Sequence, residues 1–380
     1  MSATIRILHV IGAMGCGGAE AMIMNIYRNI DRTRIQFDFV VHTDKKEFYD
    51  DEILSLGGKI FHTTRYNIIN YLQYKRFWDD FLTDHNEYRI IHGHINSSAA
   101  IYLKCAKKHG RFAVAHSHST RNSEKSIKKY AFLISSYPIR YIADFFFACS
   151  RKAGIDRFGE KTVRSDRFHV LNNGIDATLY KYDSERRAQI RSHLNISDKT
   201  IVIGHVGRFT YAKNHSFLID VFSAIHKAEP DSVLILVGSG EMEVEIKQKV
   251  KALGLEEAVL FLGQTNNVGS LLQAMDVFIF PSLFEGLGIA LVEAQAAGLP
   301  CIVSENIQEE ADIKAGLVHY LHISEGKEKW AEKAIELRNV ERNNKSEYIR
   351  NAGFDISDNV NYLKRFYESY WGDKKNDNYE

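Results

Sequence analysis

Two glutamates eight residues apart are the first candidates for chemistry. Glu285 lies in a glycine-punctuated loop after an apolar run, and Glu293 lies more than one turn into the helix that follows. Carboxylates are strong acceptors for vicinal hydroxyl groups, and the free N–H groups of Leu287, Gly288 and Ile289 at the helix start can bind phosphate. The pattern predicts an elongated ligand that carries hydroxyl and phosphate groups. A helix-surface glutamate and a loop acid near a helix dipole are the alternatives.

Two cations follow another apolar run. Arg208 and Lys213 lie between the end of a predicted strand and the start of a predicted helix. A bidentate guanidinium and a point-charge ammonium at this place suit a diphosphate. A solvated surface pair is the alternative, and the nearby glutamates make it the weaker one.

A glycine-rich turn follows the first strand and opens a helix. Gly17 and Gly18 lie where backbone N–H groups face a phosphate at the positive end of a helix dipole. The turn lacks the third glycine of a dinucleotide-binding fingerprint and the Lys-Ser/Thr of a phosphate-binding P-loop. A plain strand-to-helix turn is therefore an equal alternative.

Two histidine doublets end neighbouring predicted strands. His92 and His94 form one doublet, and His116 and His118 form the other. No cysteine or carboxylate accompanies them at ligand spacing, so we predict no metal. For the first doublet a structural role is favoured, whereas His118 lies just beyond its strand and is predicted to contact a sugar or phosphate.

The elements that must position these residues alternate between short apolar runs and amphipathic stretches. This alternation is typical of α/β proteins with parallel sheets covered on both faces. The predicted strands are 5–11, 35–41, 59–62, 89–92, 111–115, 145–149 and 168–171, then 201–206, 232–237, 259–262, 277–280, 301–303 and 317–322. We predict two doubly wound, Rossmann-like domains that face a cleft, an N-terminal one (1–172) and a C-terminal one (173–355). The amphipathic segment 356–371 is expected to pack back on the first domain.

Composition excludes several classes of protein. The chain has 380 residues, 49 Lys plus Arg and 48 Asp plus Glu, so its net charge of +1 gives no basis for binding nucleic acid. The four cysteines are far apart and predict buried thiols in a reducing compartment. We also expect no export signal and no membrane-spanning segment, which predicts a cytoplasmic protein.

The Glu285–Glu293 element has the frame FPSxxEGxGxxLxEAxAxGLP. Together with the Gly-Gly-Ala-Glu turn, the GRF…KN element and Asn173-Gly174-Ile175-Asp176, it resembles the family 4 retaining glycosyltransferases of the GT-B fold. The likeness covers nearly the whole chain in the expected order. Within that family it looks most similar to bacterial enzymes of exopolysaccharide and capsule biosynthesis.

The resemblance implies roles for the motif residues. Arg208 and Lys213 would hold the donor diphosphate, Glu293 the ribose hydroxyls and Glu285 the transferred sugar. The backbone N–H groups just after Glu285 would lie near sugar and phosphate. The N-terminal glycines would approach the phosphate from the other domain, and His118 would lie near the sugar. The strand-end loops 238–240 and 262–264 would line the base pocket.

The resemblance also implies the reaction. A hexosyl or N-acetylhexosaminyl group would pass from a nucleotide-sugar, expected to be a UDP-sugar, to a glycan or lipid-linked acceptor with retention of configuration. No cofactor and no metal are expected. One departure is that residues 303–310 lack the glycine pair usual in the family. The usual acceptor- or base-side loop is therefore not identified in this sequence. A nucleotide-sugar epimerase, a phosphorylase and a non-enzymatic sugar-binding protein are the alternatives.

A basic helical stretch suggests where the protein works. Lys125, Lys128, Lys129 and Arg140 lie beside the apolar and aromatic residues of 130–137. Such a face can bind an anionic bilayer. We therefore expect peripheral association with the cytoplasmic face of the inner membrane, with a solvated helix over a packed core as the alternative.

Overall fold

The computed structural model describes residues 4–15, 17–95, 97–118, 137–285 and 287–372. The chain divides into two compact units. Unit 1 is Met1–Gly174 together with Ile356–Glu380, and unit 2 is Ile175–Asp355. The domain boundary was predicted after residue 172, and the first segment of unit 1 continues to Gly174.

Unit 1 is built on a parallel sheet. Its strands are β1 Ile5–Ile11, β2 Ile35–Val41, β3 Ile60–His62, β4 Ile90–Gly93, β5 Phe112–Ser117, β6 Phe145–Ala148 and β7 Phe168–Val170. They form seven strands in the order β3-β2-β1-β4-β5-β6-β7. The order reverses between β1 and β4, so this is a doubly wound sheet whose ligand edge lies beyond the carboxyl ends of the strands.

Helices cover both faces of this sheet. In chain order they are α1 Gly18–Asn29, α2 Asp50–Ser55, α3 Tyr71–Asp84, α4 Ala99–Lys108, α5 Ile139–Ile142, α6 Arg151–Phe158 and α7 Glu160–Val163. The basic stretch 125–140 was predicted to be helical. Of that range the structure describes only the last part, where the short α5 begins, and residues 127–136 fall outside the described residues, as do Lys125, Lys128 and Lys129.

Unit 2 contains the second parallel sheet. Its strands are β8 Ile201–Val206, β9 Ser232–Val237, β10 Val259–Phe261, β11 Val277–Phe280, β12 Cys301–Ser304 and β13 Val318–Leu321. These six strands run in the order β10-β9-β8-β11-β12-β13, which again reverses beside the first strand of the unit. The helices are α8 Ala177–Tyr180, α9 Ser184–His193, α10 His215–Ala228, α11 Glu243–Ala252, α12 Val268–Ala274, α13 Ile289–Ala296, α14 Gly326–Leu337 and α15 Ser346–Asn351.

The last helix, α16 (Ile356–Gly372), belongs to unit 1. Its apolar face is part of the core that also holds residues of β1, β2 and α1, through Val360, Leu363 and Phe366. Tyr367 is fully buried there, and its hydroxyl lies 2.7 Å from His92 Nδ1. Helix α16 therefore reaches the histidines of unit 1.

The polar stretch 172–200 holds the predicted domain boundary, and no helix was among the predicted elements there. The structure has α8 and α9 there. Helix α9 is anchored by Arg191, whose guanidinium is buried and donates to the carbonyls of Ala274 and Thr200 and to Asp276. A helix held by buried hydrogen bonds has no apolar stripe, so its periodicity gives no signal.

The described cysteines Cys105, Cys149 and Cys301 are buried free thiols. Burial raises the pKa of Cys105 and of Cys149 to about 11, so both are protonated at neutral pH. In the part of the chain that the structure describes, no helix is both long and apolar enough to cross a bilayer.

Candidate active site

The two motifs predicted in the second half of the chain meet in unit 2. The loop after β8 and the loop after β11 are joined by a hydrogen bond from Leu283 N–H to the Ala212 carbonyl at 2.7 Å. Asn214 takes a left-handed conformation (φ 54°) at the start of α10, and its amide donates to the Pro281 carbonyl at 3.3 Å. Because β8 and β11 are neighbours in the sheet, residues far apart in sequence form one edge.

Lys213 and Glu285 form an ion pair at this edge. Lys213 Nζ contacts Glu285 Oε2, and the two side chains are only 17% and 16% exposed. The ammonium also lies 4.5 Å from the centre of the Phe280 ring. A half-buried pair of this kind is sensitive to the loss of either partner, because the other charge is then uncompensated. An entering diphosphate would compete with Glu285 for the ammonium.

Arg208 lies apart from this pair. Its side chain is 70% exposed, and its nearest acid is Glu241, at 3.6 Å. The backbone segments beside Arg208 pack closely against each other, since a methyl group added at Gly238 (φ +133°) would lie 2.1 Å from the Gly207 carbonyl oxygen. Arg208 is therefore an extended cation on a fixed backbone. The structure does not bring it into the ion pair with Lys213.

Glu293 lies in α13 and accepts a hydrogen bond from Tyr180. The hydroxyl of Tyr180, at the end of α8, is 2.7 Å from Glu293 Oε1. Burial raises the pKa of Glu293 to about 7, and the hydrogen bond from Tyr180 opposes that rise. The glutamate thus titrates near neutral pH, which is typical of functional carboxyl groups in clefts. The residue Tyr180 was missed in the sequence because its partner lies far along the chain.

The loops predicted to line a base pocket are in contact. Gly238 N–H donates to the Gly263 carbonyl at 2.8 Å, and Gln264 Nε2 lies 2.5 Å from Ser239 Oγ. They follow β9 and β10, which are adjacent strands. The structure thus places the two loops side by side at the carboxyl edge of the sheet of unit 2.

The start of α13 offers backbone donors. Gly288 is the N-cap residue in a left-handed conformation (φ 74°). Among the residues described, the N–H groups of Leu287, Gly288 and Ile289 have no backbone acceptor. They are the groups that a helix leaves available to an anion.

In unit 1, the glycine turn after β1 opens α1. Gly17 is the N-cap residue of α1, and Gly18 has open space where a side chain would be. A methyl group at Gly17 would lie 2.4 Å from Glu20 Oε2, so an acidic group already lies at this helix start. A phosphate could approach Gly17 only if the Glu20 side chain moved away, because the carboxylate and the phosphate would repel each other.

Histidines of three neighbouring strands form a connected cluster at the carboxyl edge of the same sheet. His94 lies at its centre, with Nε2 2.9 Å from His9 Nδ1 and Nδ1 2.7 Å from His118 Nε2. His92 Nε2 lies 3.2 Å from His116 Nδ1. Burial lowers the pKa of all five, to about 4 for His118, so the rings are neutral at pH 7.

His9 was missed in the sequence because it lies inside an apolar strand. Its alternation with Ile7 and Ile11 on β1 is the signal that could have found it. Two histidine triads, His9–His92–His94 and His94–His116–His118, have ring nitrogens within 4.8 Å of one another. They are the groups in the described residues best placed to share an ion, but the contacts of His94 at 2.7 and 2.9 Å have the length of hydrogen bonds.

A pocket of about 810 Å³ in unit 2 lies elsewhere. Arg187, Arg338 and Arg342 are among its lining residues. Arg187 and Arg342 donate to backbone carbonyls of residues 272–275, so their positive charges are used to hold the fold. We assign this pocket no role in binding the donor.

Comparison with known proteins identifies the family. The model of "Glycosyltransferase Family 4" matches residues 16–179, and the model of "Glycosyl transferases group 1" matches residues 186–354. The putative glycosyltransferase EpsF of Bacillus subtilis is 34% identical over 368 residues, which cover 95% of this chain and 96% of that protein. This chain belongs to the family 4 glycosyltransferases.

A further relative agrees with this assignment, and a solved structure agrees with the fold. The capsular polysaccharide biosynthesis glycosyltransferase CapH of Staphylococcus aureus is 26% identical over 325 residues, 81% of this chain and 83% of that protein. The crystal structure of Anabaena HepE in complex with UDP and glucose has a TM-score of 0.78 at 20% identity, over 97% of this chain and all of that one. The predicted GT-B fold and the family resemblance are confirmed. Neither the family nor these relatives support the epimerase alternative. The roles predicted for individual residues stay predictions.

Proposed function

We propose that this glycosyltransferase moves a hexosyl or N-acetylhexosaminyl group from a UDP-sugar to a glycan or lipid-linked acceptor, with retention of configuration, in surface polysaccharide biosynthesis. The name of the CapH relative, a capsular polysaccharide biosynthesis glycosyltransferase, supports the pathway class. Complexes of HepE with UDP and with UDP-glucose support the donor class. The observation that carries the proposal is the arrangement of Lys213 and Glu285 on neighbouring loops of unit 2, with Glu293 in the helix that follows the second loop.

The proposed roles follow from charge and position. Glu293, ionised above a pH of about 7, accepts hydrogen bonds from the ribose hydroxyls. Lys213 exchanges its contact with Glu285 for one with the diphosphate, and the released Glu285 accepts hydroxyls of the sugar. Arg208, extended and exposed, swings onto the same diphosphate.

In the proposed reaction the bond between the anomeric carbon and the diphosphate oxygen breaks, and its electron pair stays on the diphosphate. The acceptor oxygen forms the new bond from the same face, and its proton passes to the leaving diphosphate. Lys213, Arg208 and the N–H groups before α13 stabilise the developing negative charge. These groups supply the positive charge without a metal or a cofactor, and addition of a chelator is expected to leave the rate unchanged.

From unit 1 we propose that His118 contacts the sugar and that Gly17 and Gly18 approach the phosphate. His118 Nε2 is occupied by His94, whereas Nδ1 is buried without a hydrogen-bond partner among the described residues, so Nδ1 is the ring atom that we propose for the ligand. A neutral ring fits this role because it can donate or accept a hydrogen bond. We propose the cytoplasmic face of the inner membrane as the place of work, with a lipid-linked acceptor.

The donor is tested by thermal denaturation with UDP, GDP, UDP-sugars and GDP-mannose. We expect UDP and one UDP-sugar to raise the melting temperature, and Lys213→Ala to abolish that rise. Lys249→Ala is the matched control, because Lys249 is also a paired lysine of unit 2, 2.6 Å from Asp220 Oδ2. Silence across all nucleotides would contradict the proposal. The anomeric configuration of the product, read by NMR, decides whether the enzyme retains or inverts.

A further inference from the structure

Three histidines of unit 1 contact one another in a row that leads from the inside of the sheet to its carboxyl edge. His9 lies within β1, His94 directly follows β4, and His118 directly follows β5. These strands are neighbours in the order β1-β4-β5. His9 Nδ1 lies 2.9 Å from His94 Nε2, and His94 Nδ1 lies 2.7 Å from His118 Nε2. We call these three residues the histidine chain.

The protons of the histidine chain are coupled. Burial lowers the pKa of all three rings, so each is neutral at pH 7 and carries one proton on its two nitrogens. At each contact one nitrogen has to donate and the other has to accept. Only two arrangements satisfy both contacts. Either all three rings carry the proton on Nδ1, or all three carry it on Nε2.

The inner end of the histidine chain favours the first arrangement. His9 is 2% exposed, and its Nε2 has no hydrogen-bond partner anywhere in the described ranges. Its ring lies against Phe37 and Phe39, with ring centres 4.3 and 5.6 Å away. A proton on Nε2 would therefore be an N–H group buried among apolar rings without an acceptor. Such groups are rarer in proteins than under-satisfied acceptors, because the lost hydrogen bond to water is not replaced.

We propose that His94 is a positioning residue that holds His118 in the tautomer with its proton on Nδ1, so that His118 donates a hydrogen bond to an oxygen of the ligand. The inference rests on the proposed contact of His118 with the sugar and narrows it to one direction. Phosphate oxygens and the oxygens of sugar hydroxyl groups can both accept this hydrogen bond. His9 acts one step further away, because its own tautomer fixes that of His94.

A metal ion is the other way to join these rings. Zinc binds imidazole nitrogens at about 2.0–2.1 Å, so two such ligands lie about 3.3 Å apart in a tetrahedral site. The contacts of His94 with His9 and His118 are shorter than this and have the length of hydrogen bonds. The distances therefore favour a proton between each pair of nitrogens.

The tautomers are read by NMR of the full chain with ¹⁵N-labelled histidine, in the presence of a chelator. The pattern of long-range couplings shows which ring nitrogen carries the proton. We expect His118 to carry it on Nδ1, which is the less common tautomer of a free imidazole and is therefore diagnostic. The signals of His118 are assigned by their loss in His118→Gln.

Two substitutions of His94 separate positioning from packing. In His94→Asn the side-chain amide takes the place of Nδ1 and still donates to His118, whereas leucine offers no donor. We expect His118 to keep its proton on Nδ1 in the Asn variant and to move it to Nε2 in the Leu variant. The kcat/KM for the donor should fall roughly tenfold in His94→Leu, as for the loss of one hydrogen bond, and less in His94→Asn.

The matched control is His62→Gln. His62 is an exposed histidine at the end of β3 in the same sheet, and its Nδ1 lies 2.7 Å from the Thr43 carbonyl oxygen. We expect this variant to change neither the tautomer of His118 nor the rate. Melting temperatures show whether each variant is folded.

Three results would overturn the inference. The first is a wild-type His118 with its proton on Nε2. The second is an Nδ1 proton that persists in His94→Leu, or an equal loss of rate in both variants of His94, since packing alone would give either result. The third is stoichiometric zinc in the purified chain whose removal changes the signals of His94 and His118. The tautomer is measured without a donor. Full activity of His118→Gln would therefore contradict the proposed ligand contact separately from the histidine chain.

Discussion

Replacing Glu293 by Gln should stabilise the empty protein while it removes donor binding. Burial raises the pKa of Glu293 from 4.5 to about 7. Between these two pH values the unfolded chain ionises while the folded chain keeps its proton. The folded state is therefore the better proton binder, and this group makes the free energy of unfolding fall as the pH rises from about 4.5 to about 7.

The magnitude follows from the shift. Each pKa unit corresponds to about 1.4 kcal/mol, so at pH 8 the ionised carboxylate costs the fold about 3 kcal/mol. At pH 5 the same relation leaves about 1 kcal/mol. A neutral glutamine still accepts the hydrogen bond from Tyr180, so Glu293→Gln should raise the melting temperature of unit 2 by roughly 6–12 °C at pH 8 and by much less at pH 5.

The assay is thermal denaturation at both pH values, with and without UDP. The variant should lose most of the protection by UDP, because an acceptor with a full charge is lost. Glu245→Gln, on the exposed side of α11, is the control and should change neither quantity. A Glu293→Gln variant that melts at or below the wild-type temperature at pH 8 would refute the reasoning from burial.

Three further changes test other parts of unit 2. Tyr180→Phe removes the hydrogen bond that opposes the rise in the pKa of Glu293, so that pKa should rise further. In a pH profile of the donor KM, the acidic limb should therefore move to higher pH, while activity at high pH persists. Arg191→Met should lower the free energy of unfolding by roughly 3–5 kcal/mol in urea titrations, because it strips buried acceptors of their donor. The control is Arg164→Met in unit 1, which breaks an exposed ion pair and should change the free energy of unfolding by less than about 1 kcal/mol. Gly238→Ala places a methyl group against a backbone carbonyl at a positive φ and should destabilise unit 2 by roughly 1–3 kcal/mol.

The strands were predictable because buried parallel strands are contiguous apolar runs. The predicted 201–206, 232–237 and 277–280 agree with β8, β9 and β11. Helix α9 was not predicted, because it is held by the hydrogen bonds of a buried arginine and lacks an apolar stripe. The physical interactions that build the sheet leave a local pattern in the sequence, whereas a buried hydrogen bond to a distant carbonyl leaves none.

The candidate site likewise combines loops that the sequence predicts with contacts between distant residues that it does not. The loops that carry Lys213 and Glu285 were predicted from glycines and charges near strand ends. Their ion pair joins residues seventy-two positions apart and depends on β8 and β11 being neighbours. The order of strands in the sheet is a tertiary property that no local spacing reports. The contacts of Glu293 with Tyr180 and of His94 with His9 belong to the same class.

The chain path of unit 1 has a consequence for how the protein is made. Unit 2 is one continuous segment, while unit 1 needs both the first part of the chain and α16. During synthesis, all of unit 2 is polymerised before Phe366 and Tyr367, which fill the core beside His92, are added to the chain. Until the last helix emerges, the apolar residues that it covers in unit 1 stay exposed. Chaperone contact and proteolytic nicking of nascent chains should therefore concentrate on unit 1.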